Sequence, residues 1–135
     1  MSLVFFTVSK SWAGAAVCFL SGVLIDIDHF FDLWIARRRV SLSYSELHRF
    51  CSYEKDGRLH LVFHSYELHA LLWLSVLALG LSWPWVGLAV GTSTHLLIDQ
   101  LCNPIRPFTY FFLYRLKCRF AKECAFTDNY YRTLS

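Results

Sequence analysis

At 135 residues the chain is one domain long, and its 56% hydrophobic and 18% aromatic content, with positive mean hydropathy, exceeds what an ordinary soluble domain carries. A formal charge of +3 is too small to indicate nucleic acid, and the basic residues follow the loops rather than one stripe. Five cysteines, Cys18, Cys51, Cys102, Cys118 and Cys124, are an odd number with no CxxC spacing, so neither a disulfide framework nor a thiolate zinc site is indicated. The expectation is an all-α membrane protein, one domain over 1–135, with about three transmembrane helices plus interfacial helices.

The first apolar run, "WAGAAVCFLSGVLI" (12–25), continues as "DIDHFFDLWIA" before the basic stop "RRR" at 37–39. It meets Asp26 and Asp28 rather than a small-residue cleavage site, so the segment is expected to be retained. It spans a bilayer, which needs about 20 mainly apolar residues, only with its acidic end near the interface. The polar middle, "SLSYSELHRFCSYEKDGR", carries a Ser43-x-x-Glu46 capping box and predicts a short amphipathic surface helix. A second apolar helix is predicted from Leu61 to Leu81 and a third from Trp85 to Leu101. Between them "SWPW" stops one helix at Pro84 and sets Trp83 and Trp85 at headgroup level. After "NPIRPF", the aromatics and cations of "TYFFLYRLKCRF" predict an interfacial segment.

Every Lys and Arg except Lys10 lies in the 37–58 loop or from Arg106 onward, one side of a three-helix layout, and the positive-inside rule makes that side cytoplasmic. Asp26, Asp28, His29 and Asp32 end helix one there, His60, His64 and Glu67 begin helix two, and His95 and Asp99 end helix three. On a helix His60, His64 and Glu67 share a face at i, i+4 and i+7, while His69 points elsewhere. His95 with Asp99, and Asp28 with Asp32, repeat the i, i+4 spacing. Imidazole nitrogens with carboxylate oxygens suit zinc, manganese or iron. Singly, such residues have plain structural readings: His48 and His69 as interfacial or capping groups, Asp32 paired with Arg37 or Arg38 on the surface, His60 as a solvated helix start. The combination Asp28, His64, His95 and Asp99 reads as functional, because burying unpaired charge beside hydrocarbon is too costly to recur on three helices by chance. Ser65 follows His64 directly, but adjacent helical residues point about 100° apart and no GxSxG elbow is present, so serine chemistry is set aside. Arg106 and Arg115 are candidates to receive an anionic headgroup.

The motifs "GVLIDIDHFFD", "HLVFHSYE" and "GTSTHLLIDQLCNPIRPFTYFFLYR" resemble, in order and spacing, the D-x-D-H, H-S and H-x-x-x-D signatures of the YdjM-like inner-membrane metal-dependent hydrolases, over about residues 14 to 115. The resemblance implies a small helical inner-membrane protein with a metal centre, presumed hydrolytic and similar in style to zinc-dependent phospholipases C. By position, Asp26, Asp28 and His29 match the first motif, His64 and Ser65 the second, His95 and Asp99 the third. The chain departs from the family at Lys10-Ser11, where members often carry a His, and at Ile25, where they carry Pro; Glu67 is the candidate replacement ligand.

The expected function is hydrolysis of a lipid-linked ester, most of all a phosphoester, at the cytoplasmic membrane interface. Its divalent ion, zinc before manganese or iron, is expected on Asp26, Asp28, His64, His95 and Asp99. Glu67 is the expected general base or extra ligand, and His29 a donor to the leaving oxygen or a ligand of a second ion. Two alternatives keep the same residues: a ceramidase-like membrane amidase, and a non-catalytic metal-binding membrane protein with no open coordination position.

Overall fold

The computed structural model describes residues 1–52 and 57–127, so 53–56 of the polar middle, with Lys55, and the C-terminal Arg132 of the charge argument lie outside the described residues. It is all-helical: α1 (Ser2–Ser9), α2 (Trp12–Leu24), α3 (Ile27–Arg37), α4 (Tyr44–Ser52), α5 (Tyr66–Leu79), α6 (Trp83–Cys102), α7 (Phe112–Lys117) and α8 (Lys122–Ala125). Among the described residues, one helical stretch, the 26 residues Trp12–Arg37, is long and apolar enough to cross a membrane; Tyr66–Leu79 is apolar but shorter. Two compact units divide the chain, Met1–Ile25 with Tyr66–Cys102, and Asp26–Ser65 with Asn103–Ser135.

In the first unit Ser11 caps α2, its hydroxyl accepting from the Gly14 N–H at 3.1 Å. α2 and α6 then pack at backbone distance. A Cβ on Gly87 would stand 2.2 Å from the Gly14 carbonyl oxygen, and one on Gly91 would stand 2.2 Å from that of Cys18. Gly87-x-x-x-Gly91 is the small-residue spacing that lets helices approach this closely. α5 stops at Gly80, whose φ of +57° suits glycine, with Leu81 N–H donating to the Val76 carbonyl at 3.1 Å. α6 starts two residues before the expected Trp85, with Pro84 in the first turn, where its missing N–H has no helical partner to lose. α5 exposes Leu71, Leu74 and Leu77 and buries His69 and Val76, the reverse of a helix patterned for water.

In the second unit α3 buries Asp28, Asp32 and Leu33. α4 shows half of the expected capping box: the Ser43 hydroxyl accepts from Glu46 N–H at 3.4 Å. The Glu46 carboxylate turns instead to the Ser41 hydroxyl at 2.6 Å and to the Arg39 guanidinium at 2.7 Å, both short charge-assisted hydrogen bonds. Phe50, Leu33 and Leu59 supply apolar core, and the Lys122 ammonium is buried over the Phe50 ring at 3.7 Å.

The predicted second helix is corrected here. Residues 59–65 are not helical, α5 begins only at Tyr66, and Leu61 takes a φ of +46°. His60, His64 and Glu67 therefore do not form one helical face. The competing interactions are polar: carboxylates on α3 take the N–H groups of His60, Leu61 and Phe63 in a non-helical arrangement, with Leu61 in the left-handed region that a right-handed helix does not contain.

Candidate metal centre

The second unit builds its site on the 60–64 loop. Asp32, 2% exposed, accepts from the His60 N–H at 2.8 Å and the Leu61 N–H at 3.2 Å through Oδ2, while Oδ1 accepts from His60 Nδ1 at 2.8 Å. Asp28 repeats the arrangement one turn earlier: its Oδ2 accepts from the Phe63 N–H and from His64 Nδ1, both at 3.0 Å. Two carboxylates four residues apart on α3 thus meet two histidines four residues apart on the loop, Asp28 with His64 and Asp32 with His60. The surface pairing considered for Asp32 and the solvated role for His60 are both overturned by this burial and bonding.

His64 is fully buried, with the His29 ring edge-on at 5.2 Å and the Tyr110 ring at 5.6 Å. With Nδ1 donating to Asp28, the neutral His64 ring carries its lone pair on Nε2, which faces Asp26 Oδ1 at 3.5 Å. His29 Nε2 lies 3.8 Å from the same oxygen, and the Cys51 sulfur lies 3.6 Å from His29 Nδ1. Burial pushes the Cys51 thiol up to about 11 against the pull of Lys122, which keeps it a neutral hydrogen-bond partner of His29. One ligand atom from each of Asp28, His29 and His64 lies within 4.8 Å of the other two. A cavity of about 220 Å³ adjoins Asp28, lined also by Asp32 and His60 with Phe31, Ile35 and Phe63 among its apolar walls.

The first unit holds the other expected ligands. His95 Nδ1 donates to the Gly22 carbonyl at 2.7 Å, and its Nε2 faces Asp99 Oδ2 at 3.3 Å along α6. Glu67 lies in the first turn of α5, and His69, also on α5, is buried. His48 is exposed beside Tyr44.

The donor set fits a divalent cation. In His64 and in His95 an acceptor nitrogen faces a carboxylate oxygen, an arrangement that repels unless a proton or a metal ion lies between. Asp28 Oδ1 is buried without a hydrogen-bond partner among the described residues, which also favours a cation beside it. Anchoring of Nδ1 by a carboxylate or carbonyl is the outer-shell contact that metal-binding histidines make. Imidazole nitrogens and carboxylate oxygens together make a mixed N/O donor set.

Arg115, a candidate to receive a headgroup, is 2% exposed and donates to backbone carbonyls instead. Arg106 is half-buried, its Nε donating to the Phe126 carbonyl at 2.9 Å. The sequence reading missed the Asp32–His60 pair and the Gly87/Gly91 contact. The equal spacing of Asp28/Asp32 and His60/His64, and the GxxxG spacing itself, were the signals available.

No family model matches the chain, and no curated protein and no solved structure matches it.

Proposed function

We propose that the chain is a membrane-bound metal-dependent hydrolase acting on a lipid-linked ester, with a phosphoester favoured. The observation that carries this reading is the pair of facing acceptors, His64 Nε2 against Asp26 and His95 Nε2 against Asp99, each with its Nδ1 anchored. The proposed ligands are Asp26, Asp28, His64, His95 and Asp99, for one or two ions per chain. A bound divalent ion would supply positive charge for a phosphoryl oxygen and lower the pKa of water toward neutrality. Asp28 fixes the tautomer of His64 and so keeps Nε2 an electron-pair donor. Glu67 is the proposed base and His29 the proposed donor to the leaving oxygen.

The membrane assignment rests on the apolar stretch Trp12–Arg37 and on leucines exposed along α5. We further propose three spans with the site on the cytoplasmic side, because the basic residues gather in the 37–58 loop and from Arg106 onward. Apolar walls on the cavity beside Asp28 favour a substrate that carries hydrocarbon.

The test is metal content together with hydrolysis by purified protein in lipid nanodiscs. His64→Ala and His95→Ala should each lose metal, and His48→Ala should keep it. Glu67→Gln should retain metal and lose about a hundredfold in turnover of a phospholipid phosphoester, the usual scale for a lost base. Cleavage of an acyl amide in place of the phosphoester would favour the amidase reading; metal without any hydrolysis would leave a metal-binding membrane protein.

A further inference from the structure

Residues 59–65 lie outside any helix, so their backbone groups need other partners. On the N–H side Asp32 takes His60 and Leu61 and Asp28 takes Phe63, while Leu59 donates to the Phe120 carbonyl and His64 to that of Leu61. On the C=O side one residue of α7 reaches three carbonyls. Arg115 donates through Nη1 to the carbonyls of His60 and Leu61, the latter at 2.8 Å, and through Nη2 to that of His64 at 2.9 Å. Its guanidinium therefore grips the loop at both histidines that the carboxylates of α3 orient. With Leu61 held at a φ of +46°, the loop has no regular ladder to return to if that grip is removed.

We infer that Arg115 is a positioning residue for the metal centre: by bridging the carbonyls of His60, Leu61 and His64 it holds the loop in the one arrangement that presents His64 Nε2 to a metal. The inference rests on the metal-centre reading, not on hydrolysis. A guanidinium suits this task because its donors form a rigid planar fork, so one side chain fixes several acceptors at once. The lysine ammonium is a compact point donor and cannot reproduce the fork. The alternative, that Arg115 merely fills the core, predicts the same cost for removing any equally buried cation. Lys122 provides that comparison: it is 1% exposed, belongs to the same unit, and donates to the Phe50 carbonyl.

The experiment is titration of the full chain in nanodiscs with zinc against a chelator and with cobalt, whose visible spectrum reports coordination geometry. Thermal unfolding of each variant is followed alongside. Arg115→Lys and Arg115→Gln should fold, bind metal roughly 10–100-fold more weakly, as loss of outer-shell support commonly does, and change the cobalt spectrum. Lys122→Met should lower the unfolding temperature and leave both affinity and spectrum of the folded protein as in the wild type. Unchanged affinity and spectrum in both Arg115 variants, or an equal loss in Lys122→Met, would overturn the inference while leaving the metal centre standing. Arg115 variants that fail to fold even with metal present would assign the residue to the fold alone and overturn it too. A wild-type chain that takes up neither zinc nor cobalt would refute the metal-centre reading itself, and the role of Arg115 with it.

Discussion

The two units bring an imidazole to the same state by opposite means. In the first, His95 is part of a regular helix, and its Nδ1 finds a backbone carbonyl, Gly22, because glycines let α2 and α6 approach. In the second, His64 stands on an irregular loop, and its Nδ1 is fixed by a carboxylate while other side chains hold the loop. A site on a helix needs only register, and register comes from small residues. A site on a loop must also replace every backbone hydrogen bond that the helix would have made, and this takes buried charge.

The comparison breaks first at the glycine seam, where the largest effect is expected. A Cβ at position 91 would stand 2.2 Å from both the Cys18 carbonyl oxygen and the Ser21 hydroxyl, and a backbone carbonyl inside a helix has little room to yield. Gly91→Val should cost roughly 3 kcal/mol or more, the upper end of overpacking, read as thermal unfolding in detergent. Gly80→Ala is the control. Its φ of +57° strains an L-residue, but nothing lies near the added methyl, so about 1 kcal/mol is expected. Equal, mild losses in the two variants would refute close packing as the device that places His95.

A smaller effect sharpens the second unit. Asp28→Asn keeps the size of the side chain but removes the charge that holds His64 as a donor through Nε2, and should weaken zinc binding roughly 10–100-fold. Asp32→Asn alters the same kind of pair at His60, which stands outside the group of close ligand atoms, so its affinity should stay within about threefold of the wild type. Chelator competition on the two purified variants checks the contrast. If Asp32→Asn proves the more damaging, the ion is held at His60 and the assignment of Asp28 and His64 is wrong.

Much of the first unit was legible in the sequence. The apolar runs gave α2, α5 and α6 because exposed leucines and small contact residues leave a long unbroken hydrophobic signal, and His95 with Asp99 sits on α6 at the spacing read from it. The second unit was legible as residues but not as geometry. Asp28, His29 and His64 were chosen correctly as neighbours, yet the loop that carries His60 and His64 was read as a helix, since its apolar residues Leu61, Val62 and Phe63 extend the run of α5. Periodicity reports the chain's own preference. It carries no record of Asp28, Asp32 and Arg115, distant in sequence, offering the same backbone a different set of hydrogen bonds.

The smallest expected effect asks whether every carboxylate of the second unit is committed as Asp28 and Asp32 are. Glu46 sits at the surface beside the start of α4, and its carboxyl is held below its ordinary value. The Ser41 hydroxyl is the largest single cause, desolvation opposes it, and the Arg39 and Arg37 guanidiniums add to the lowering. A carboxyl whose pKa is lower folded than unfolded stabilises the fold above the unfolded pKa, and loses that contribution as pH falls through the folded pKa. The α4 segment should therefore loosen slightly as pH falls below about 5, where an ordinary glutamate begins to protonate. NMR titration of the Glu46 side-chain carbon in wild type, Ser41→Ala and Arg39→Ala gives the test. Ser41→Ala should raise the pKa more than Arg39→Ala does, and added salt should shift the wild-type value only partway, since screening weakens the guanidinium attraction but not a hydroxyl hydrogen bond. If the arginine variant gives the larger rise, Glu46 is governed by surface charge alone, and the directed hydrogen bonding that holds Asp28 and Asp32 stops at the buried loop.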